Sequence, residues 1–343
     1  MNEATDVQIC ARCVLPSTFP GIQFDAQGLC TLCHSAPTVA EFERTRKDLR
    51  GRLEQLFDAT RGKADYDVIV AFSGGKDSSY TLMSLARHYG LKCLAVTIDN
   101  GFIAEQAQKN LRTVTSALGV DFMMFTPAPS FMQRMYRTSA TTSVHSDAAL
   151  TRASSMCNSC IGLINNYMVR LAIEKCVPLI AGGYIGGQVP KDSVIMQLDL
   201  DVQSRFRSLA VKRYLRHFGP DAQGYFGLSD DLVSAGRLRT LHIVNPMLGF
   251  DVSETQIINE ISTLGWSRTT DTGSNSTNCL LNDLGIAVHY KQHGYNPYVN
   301  EIAEQVRAGL MARDEGLLKA GDIPEFAQVV RQARAIGLDW NDV

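Results

Sequence analysis

Seven of the nine cysteines in this 343-residue chain stand at spacings that can do chemistry. Cys10/Cys13 and Cys30/Cys33 are two Cys-x-x-Cys pairs joined by a short excursion, 14–29, that contains proline and glycine. Two such pairs are the donor set of a tetrahedral four-cysteine zinc site, and four thiolates leave no position open for water, so zinc there would be structural. His34 competes for a ligand place, and Cys33 is the better donor. A third pair, Cys157 and Cys160, lies in A-S-S-M-C-N-S-C-I-G-L (153–163). Cys279 sits in the polar loop D-T-G-S-N-S-T-N-C-L-L-N-D (271–283), where a core cysteine is not expected. Cys93, at the start of a β-type run, and Cys176, at the end of a helical one, read as buried core thiols.

Clusters are normally held by four thiolates, so Cys157, Cys160 and Cys279 would bind a [4Fe–4S] cluster and leave one iron open. Such an iron is a place for an exogenous sulfide. Two other readings stand beside it: a persulfide or disulfide relay using Cys157 with Cys160 or Cys279, and inert buried cysteines.

The second constellation is Ser73-Gly74-Gly75-Lys76-Asp77-Ser78-Ser79, which follows the apolar run 68–72 and precedes residues at helical spacing. Glycines between a strand and a helix let backbone N–H groups converge on an anion, and the helix N-terminus adds its positive dipole end. The hydroxyls of Ser73, Ser78 and Ser79 add donors. The stretch is neither G-x-x-x-x-G-K-[ST] nor G-x-G-x-x-G, which speaks against a P-loop kinase and a dinucleotide fold. A serine-capped strand-to-helix turn is the plain structural alternative. Two further places belong to the same sheet edge. Asp99, at the end of the run 93–100, is either a contact to adenine or ribose or a helix cap. Gly182-Gly183-Tyr184-Ile185-Gly186-Gly187-Gln188, after the run 177–183, either permits close backbone approach or is a mobile loop.

Apolar runs of strand type at 68–72, 93–100, 120–125 and 177–183 alternate with helical stretches near 80–89, 104–119 and 161–176. That alternation predicts βαβ units and an α/β fold, a doubly wound parallel sheet. The expected organisation is a four-cysteine zinc-binding module at 1–38 and a helical linker at 39–64. A core at 65–285 follows, with an irregular, partly basic insertion or lid at about 189–240, and a helical C-terminal region at 286–343.

On SGGKDSS in this position the chain resembles the PP-loop (N-type) ATP pyrophosphatases over about residues 65–190. The resemblance implies ATP with Mg2+, phosphates held by Ser73, Gly74, Gly75, Asp77, Ser78 and Ser79, and a substrate oxygen adenylated with loss of pyrophosphate. Lys76 falls at a variable position of that motif, and Gly182 and Gly183 would approach ATP from the neighbouring strand. Cys157, Cys160 and Cys279 resemble the cysteine set of cluster-dependent PP-loop tRNA thiolases, with about 80 residues from loop to pair and 119 more to Cys279. The Gly-His and paired Asp that many thiolating relatives carry after the later strand are absent. Both ends, CARCVLPSTFPGIQFDAQGLCTLC and HYKQHGYNPYVNEIAEQVRAGLMARDEGL (289–317), resemble the N-acetyl sugar amidotransferases of surface polysaccharide synthesis. The resemblances imply a shared adenylation followed by attack of sulfide or of ammonia, with Cys157, Cys160, Cys279 and Asp77 as the catalytic group on the sulfide reading.

Composition narrows the partners. Net charge is −2, the hydrophobic fraction 45% and the charged fraction 20%. The pI is about 6.4. No global basic field for nucleic acid exists, so tRNA is not the favoured acceptor, although Arg205, Arg207, Lys212, Arg213 and Arg216 form a local basic stretch. A small acceptor such as a nucleobase or nucleoside, together with a sulfur donor, fits better. His289, Lys291 and His293 are candidates for an anion of that substrate. No apolar run of membrane length and no secretory leader pattern is present, so a cytoplasmic location is expected, and a homodimer is compatible with the pattern.

Overall fold

The computed structural model describes residues 7–200, 211–235, 238–273 and 275–343. Six strands form one sheet: β1 (Val68–Ala71), β2 (Cys93–Ile98), β3 (Asp121–Phe125), β4 (Leu179–Ala181), β5 (Ile195–Asp199) and β6 (Thr240–Val244). Their order is β3-β2-β1-β4-β6-β5. Every pairing is parallel except β5 with β6. The chain therefore runs outward from β1 through β2 to β3, then returns to lay β4 on the other side of β1. That reversal opens a crevice at the carboxyl ends of β1 and β4, where ligands of doubly wound sheets bind.

The helices that matter below are α1 (Val39–Thr60), α2 (Lys76–Met83), α3 (Glu105–Leu118), α4 (Pro129–Thr141), α5 (Ser155–Lys175), α6 (Glu254–Ser262), α7 (Asn282–His293), α8 (Val299–Arg307), α9 (Arg313–Ala320) and α10 (Phe326–Ala335). They cover both faces of the sheet. Ile69, Leu94 and Val96 point into a core built with α4, α5, α7 and α10. Val68, Val70, Phe72 and Ala95 point the other way, against α1, α2, α3 and α6. The period-2 alternation of a strand buried on both sides explains why these runs read as continuously apolar.

The insertion, the basic stretch and the helical linker are placed as follows. Residues 189–240, read as an irregular insertion, contain β5, an antiparallel edge strand; five residues with no regular alternation of exposure are too short a signal to stand out. Arg205 and Arg207 of the basic stretch lie outside the described residues, while Lys212, Arg213 and Arg216 fall in the helical segment 211–218. The stretch read as a linker is α1, opened by a Thr38–Glu41 capping box, and it buries Leu53 and Phe57 fully in the core. Among the described residues no helix is long and apolar enough to cross a membrane.

The N-terminal cysteine module does not stand alone. Val14, Leu15 and Phe19 share a core with Tyr295, Val299, Ile302 and Ala303. Arg313 donates to the Cys13 carbonyl at 3.1 Å and to the Cys10 carbonyl at 2.8 Å, so the two ends of the chain close on each other.

Candidate active site

The loop Ser73–Ser79 leaves β1 at the crevice. Gly74 has φ of +73°, and a Cβ there would collide with the Ala107 carbonyl oxygen, so glycine is required twice over. Its own carbonyl is pinned from beneath by Trp266 Nε1 at 2.9 Å and Asn110 Nδ2 at 3.2 Å. α2 then starts after Gly75, which offers no capping side chain, and of its first amides Thr277 Oγ1 takes the Lys76 N–H. A helix end of that kind leaves amide N–H groups for an anion. Within the loop, the Ser73 and Ser78 hydroxyls are 3.0 Å apart, and the Ser73 N–H donates to Ser78 Oγ at 3.2 Å.

Ser79, expected at phosphate, and Asp99, expected at adenine or ribose or as a helix cap, lie as follows. Ser79 is fully buried and its hydroxyl has no partner, so it faces the interior and not the crevice. Asp99 accepts from the Gly101 N–H at 2.9 Å in a local turn, and the cap position of α3 is Ala104.

Across the crevice, a Cβ on Gly183 would stand 3.0 Å from the Ser78 backbone nitrogen, and one on Gly182 would strike the Tyr184 ring. The glycines after β4 thus serve close approach to the loop after β1. The SGGKDSS turn and this second glycine turn face each other over the point where the strand order reverses. The fold is a doubly wound α/β sheet with both glycine turns at its switch point.

Charge gathers around the loop. Lys76 Nζ contacts both Asp77 oxygens, at 2.9 and 2.8 Å, and lies 3.9 Å from Glu254. Burial alone would lower the Lys76 ammonium, but Asp77 and Glu254 hold it above its ordinary value, so it stays charged. Burial would likewise raise Glu254, yet Lys76, Lys319 at 3.0 Å and Arg268 at 2.7 Å hold it down to about 2. Glu301 is opposite: burial, reinforced by Asp77, pushes its carboxyl up to about 7.

Cys157, Cys160 and Cys279 are brought together beside this loop. The helix carrying the pair begins earlier than its periodicity suggests, at Ser155, because Ser154 accepts from the Cys157 N–H at 3.2 Å as its N-cap. Cys157 and Cys160 therefore stand one turn apart on one face of α5. Cys279 arrives on a strand-like pairing with Ile103, and two residues earlier Thr277 accepts from the Lys76 N–H at 3.0 Å. The same short segment thus touches the anion loop and delivers a thiol.

All three cysteines are partly exposed. Burial pushes Cys160 up to about 11 and Cys279 up to about 12, with neighbouring cysteines adding to both. Polar groups ring the trio. Asn100 Nδ2 lies 3.7 Å from Cys279 Sγ. The Tyr136 hydroxyl is buried beside Cys160, Cys279 and Asn100. Tyr298, whose hydroxyl is raised by burial and by Cys157 and Cys279, donates to Asn282, whose Nδ2 is buried without a partner. The Asn100 amide and the Tyr136 hydroxyl, both beside these sulfurs, are donors that a sulfide-bearing cluster would satisfy.

At the N-terminal module the four Sγ atoms of Cys10, Cys13, Cys30 and Cys33 lie within 4.8 Å of one another, all buried. Among the described residues this is the one His/Cys/Asp/Glu group so close. His34 turns away to Asp25, 2.8 Å from it, which leaves Cys33 as the fourth donor. Burial would raise Cys10, but N–H donors from Cys13, Cys30 and Arg12 bring it down to about 6. The Arg307 guanidinium is buried beside Cys13 and Cys33 with Nη1 unpartnered. Four thiolates on Zn2+ carry net negative charge, so a cation there fits an occupied site.

His289 and His293 do not form an anion site. His289 is almost wholly buried against His293 and Tyr295, and burial holds it neutral, down at about 3. Sequence reasoning gave no site role to Asn110, Trp266 and Glu254, which carry no local motif, nor to Tyr298 and Glu301, which lie within the stretch 289–317. Two clefts of about 340 and 400 Å³, lined respectively by residues such as Asp271 and Gln328 and by Arg170 and Gln223, do not reach the loop.

No family model matches the chain. An uncharacterized protein of Methanocaldococcus jannaschii is 24% identical over 308 residues, 89% of this chain and 90% of that protein. Similar solved structures include the U34-tRNA thiolase NcsA from Methanococcus maripaludis with its [4Fe-4S] cluster, at TM-score 0.37 and 14% identity over 96% of this chain and 98% of that one. The NMN synthetase of Francisella tularensis aligns at TM-score 0.39 and 11% identity, over 86% and 97%. The NH3-dependent NAD synthetase of Campylobacter jejuni aligns at 0.36 and 11%, over 86% and 93%. At these TM-scores the likenesses carry no weight for chemistry, which rests on the residues of the site.

The loop can be tested directly. Gly74→Ala is expected to cost about 2–4 kcal/mol of stability, combining left-handed strain with a backbone clash, and to abolish ATP binding. Thermal melts and calorimetric ATP titration check it; unchanged ATP affinity would show that the loop does not hold phosphate.

Proposed function

We propose that this protein is an ATP-dependent sulfurtransferase of the PP-loop type. It adenylates a carbonyl oxygen of a nucleobase, nucleoside or similar small acceptor and replaces that oxygen with sulfur. The observation that carries the reading is the Thr277–Cys279 segment, which contacts the SGGKDSS loop at Lys76 and brings Cys279 to Cys157 and Cys160.

The chain's own groups divide the work. Backbone amides at the start of α2, with Ser73 and Ser78, orient the phosphates; Lys76, held charged by Asp77 and Glu254, supplies positive potential. The acceptor oxygen forms a bond to the α-phosphorus as pyrophosphate departs, and AMP departs when sulfur displaces the adenylated oxygen. Cys157, Cys160 and Cys279 would hold the [4Fe–4S] cluster, whose open iron supplies bound sulfide. Asn100, Tyr136 and Asn282 lend hydrogen bonds to that pocket and fix its polarity. Cys10, Cys13, Cys30 and Cys33 would hold Zn2+ as a structural ion, and Mg2+ would accompany ATP.

A second reading, ATP-dependent amidation of an N-acetyl nucleotide sugar, is favoured by one observation. The two chain ends that resemble those amidotransferases pack together, with Arg313 closing on the cysteine module. A tRNA base is the third acceptor class, with Lys212, Arg213 and Arg216 as the described part of the basic stretch 205–217.

One experiment separates them. Anaerobically purified protein, with ATP and Mg2+, is offered nucleosides, UDP-N-acetylhexosamines and unmodified tRNA, with sodium sulfide or ammonium chloride. Sulfide-dependent AMP release with a thio product supports the proposal. Ammonia-dependent AMP release on the nucleotide sugar, from protein holding zinc and no iron, overturns it.

A further inference from the structure

Glu301 stands where the C-terminal helices meet the loop. It lies in the first turn of α8, and its Oε2 accepts from Gln188 Nε2 at 2.8 Å, which ties it to the glycine turn after β4. Gly187, at φ of +91°, packs so tightly on the Glu301 backbone that any side chain there would collide with its Cα. Glu301 therefore holds its place by the same close-approach geometry that brings Gly183 to Ser78.

The charged and titratable groups facing it come from every neighbouring element. Lys76 and Asp77 face it from α2, Lys319 from α9, and Tyr298 from the cap of its own helix; Gln188 is its neutral partner. Lys76 is already engaged by Asp77 and Glu254. Lys319 is likewise paired with Glu254 and Glu315, so among the described residues Glu301 forms no ion pair of its own, and it remains partly exposed at the crevice. An anionic carboxylate in that place would repel a polyphosphate, whereas a carboxylic acid would donate a hydrogen bond to it.

We propose that Glu301 enters the ATP complex as a protonated carboxylic acid and donates a hydrogen bond to a phosphate oxygen of the nucleotide, so that ATP binding takes up a proton from solvent. The inference rests on the ATP reading above. With its carboxyl already raised to about 7, the added negative charge of the nucleotide needs to shift Glu301 only slightly further to keep it protonated at neutral pH.

The test is calorimetric titration of the full chain with Mg2+ and α,β-methylene-ATP, which cannot release pyrophosphate, in two buffers of different ionisation enthalpy at pH 7.5. About half a proton or more is expected to be taken up per nucleotide, and affinity should fall up to about tenfold per pH unit above neutrality. Glu301→Gln, neutral and still a donor, should bind at pH 8.5 as tightly as the wild type does at pH 6.5, with no proton uptake of its own. Glu301→Ala should bind more weakly at every pH. Nucleotide binding without proton uptake in the wild type, or the same uptake in Glu301→Gln, overturns the role of Glu301 and leaves the ATP reading standing. Absence of nucleotide binding in the wild type at any pH overturns both.

Discussion

Alanine at Cys157, Cys160 or Cys279 is expected to lower sulfide-dependent AMP release by roughly a thousandfold or more, the scale of removing a group on which the chemical step depends. Each substitution should cost only about 1 kcal/mol of stability, because a small, partly exposed thiol is truncated without stranding a charge. The wild type, purified anaerobically, should hold about four irons and as many acid-labile sulfides per chain, and each variant should lose most of them. The three changes should be non-additive, since all act on one site. A persulfide relay predicts another pattern: iron absent throughout, activity sensitive to cyanide, and one cysteine dispensable. Inert core thiols predict full activity in all three variants. Iron analysis beside single-turnover assays therefore separates the three readings with one set of proteins. Nothing in the interval between Cys160 and Cys279 indicates convergence; the pairing of Cys279 with Ile103 does, because it anchors the second segment at the carboxyl end of β2.

Removal of the N-terminal metal should act at a distance. Zinc bound by four thiolates contributes folding free energy outright, with apparent values of about 10–16 kcal/mol in isolated zinc modules. Here Cys10, Cys13, Cys30 and Cys33 also share a core with Val299, Ile302 and Ala303 of α8, the helix that carries Glu301. Cys13→Ser or chelation is therefore expected to open the first 38 residues to protease. It should also lower Tm by roughly 5–10 °C, given how little one kcal/mol shifts a chain of this size. ATP affinity should weaken with it, because α8 loses the surface that holds its first turn against the glycine turn at Gly187. Metal analysis, limited trypsin digestion and calorimetry report the three effects. A zinc-free protein with an unchanged melt and a protected N-terminus would show that the module is held by packing alone.

Legibility followed the range of the physics. The SGGKDSS turn could be placed because a buried strand, two glycines and a following helix are covalently adjacent, and Gly74 is where geometry forbids any other residue. The four-cysteine site was readable because its two pairs lie close enough in sequence for spacing to constrain geometry. Ser79 shows the limit: the motif includes it, yet the helical turn after Gly75 rotates its hydroxyl into the core. The early start of α5 was missed although Ser154 is an ordinary N-cap residue, because the apolar periodicity that reveals helices begins a turn later.

By itself, then, the amino-acid order determined a doubly wound α/β sheet, a glycine turn at the end of its first strand, and a module of two cysteine pairs at its N-terminus. Only the tertiary structure decided that Thr277, 201 residues after Lys76, would accept its N–H. It also decided that Gln188 would reach Glu301 across 113 residues, and that Arg313 would close on Cys10 across 303. Local signals are read through dihedral preferences and short covalent spacing, which lose all memory within a few turns. Contacts at these separations depend on strand order and on which helix faces the shared cores can bury, and no stretch of neighbouring residues carries that information.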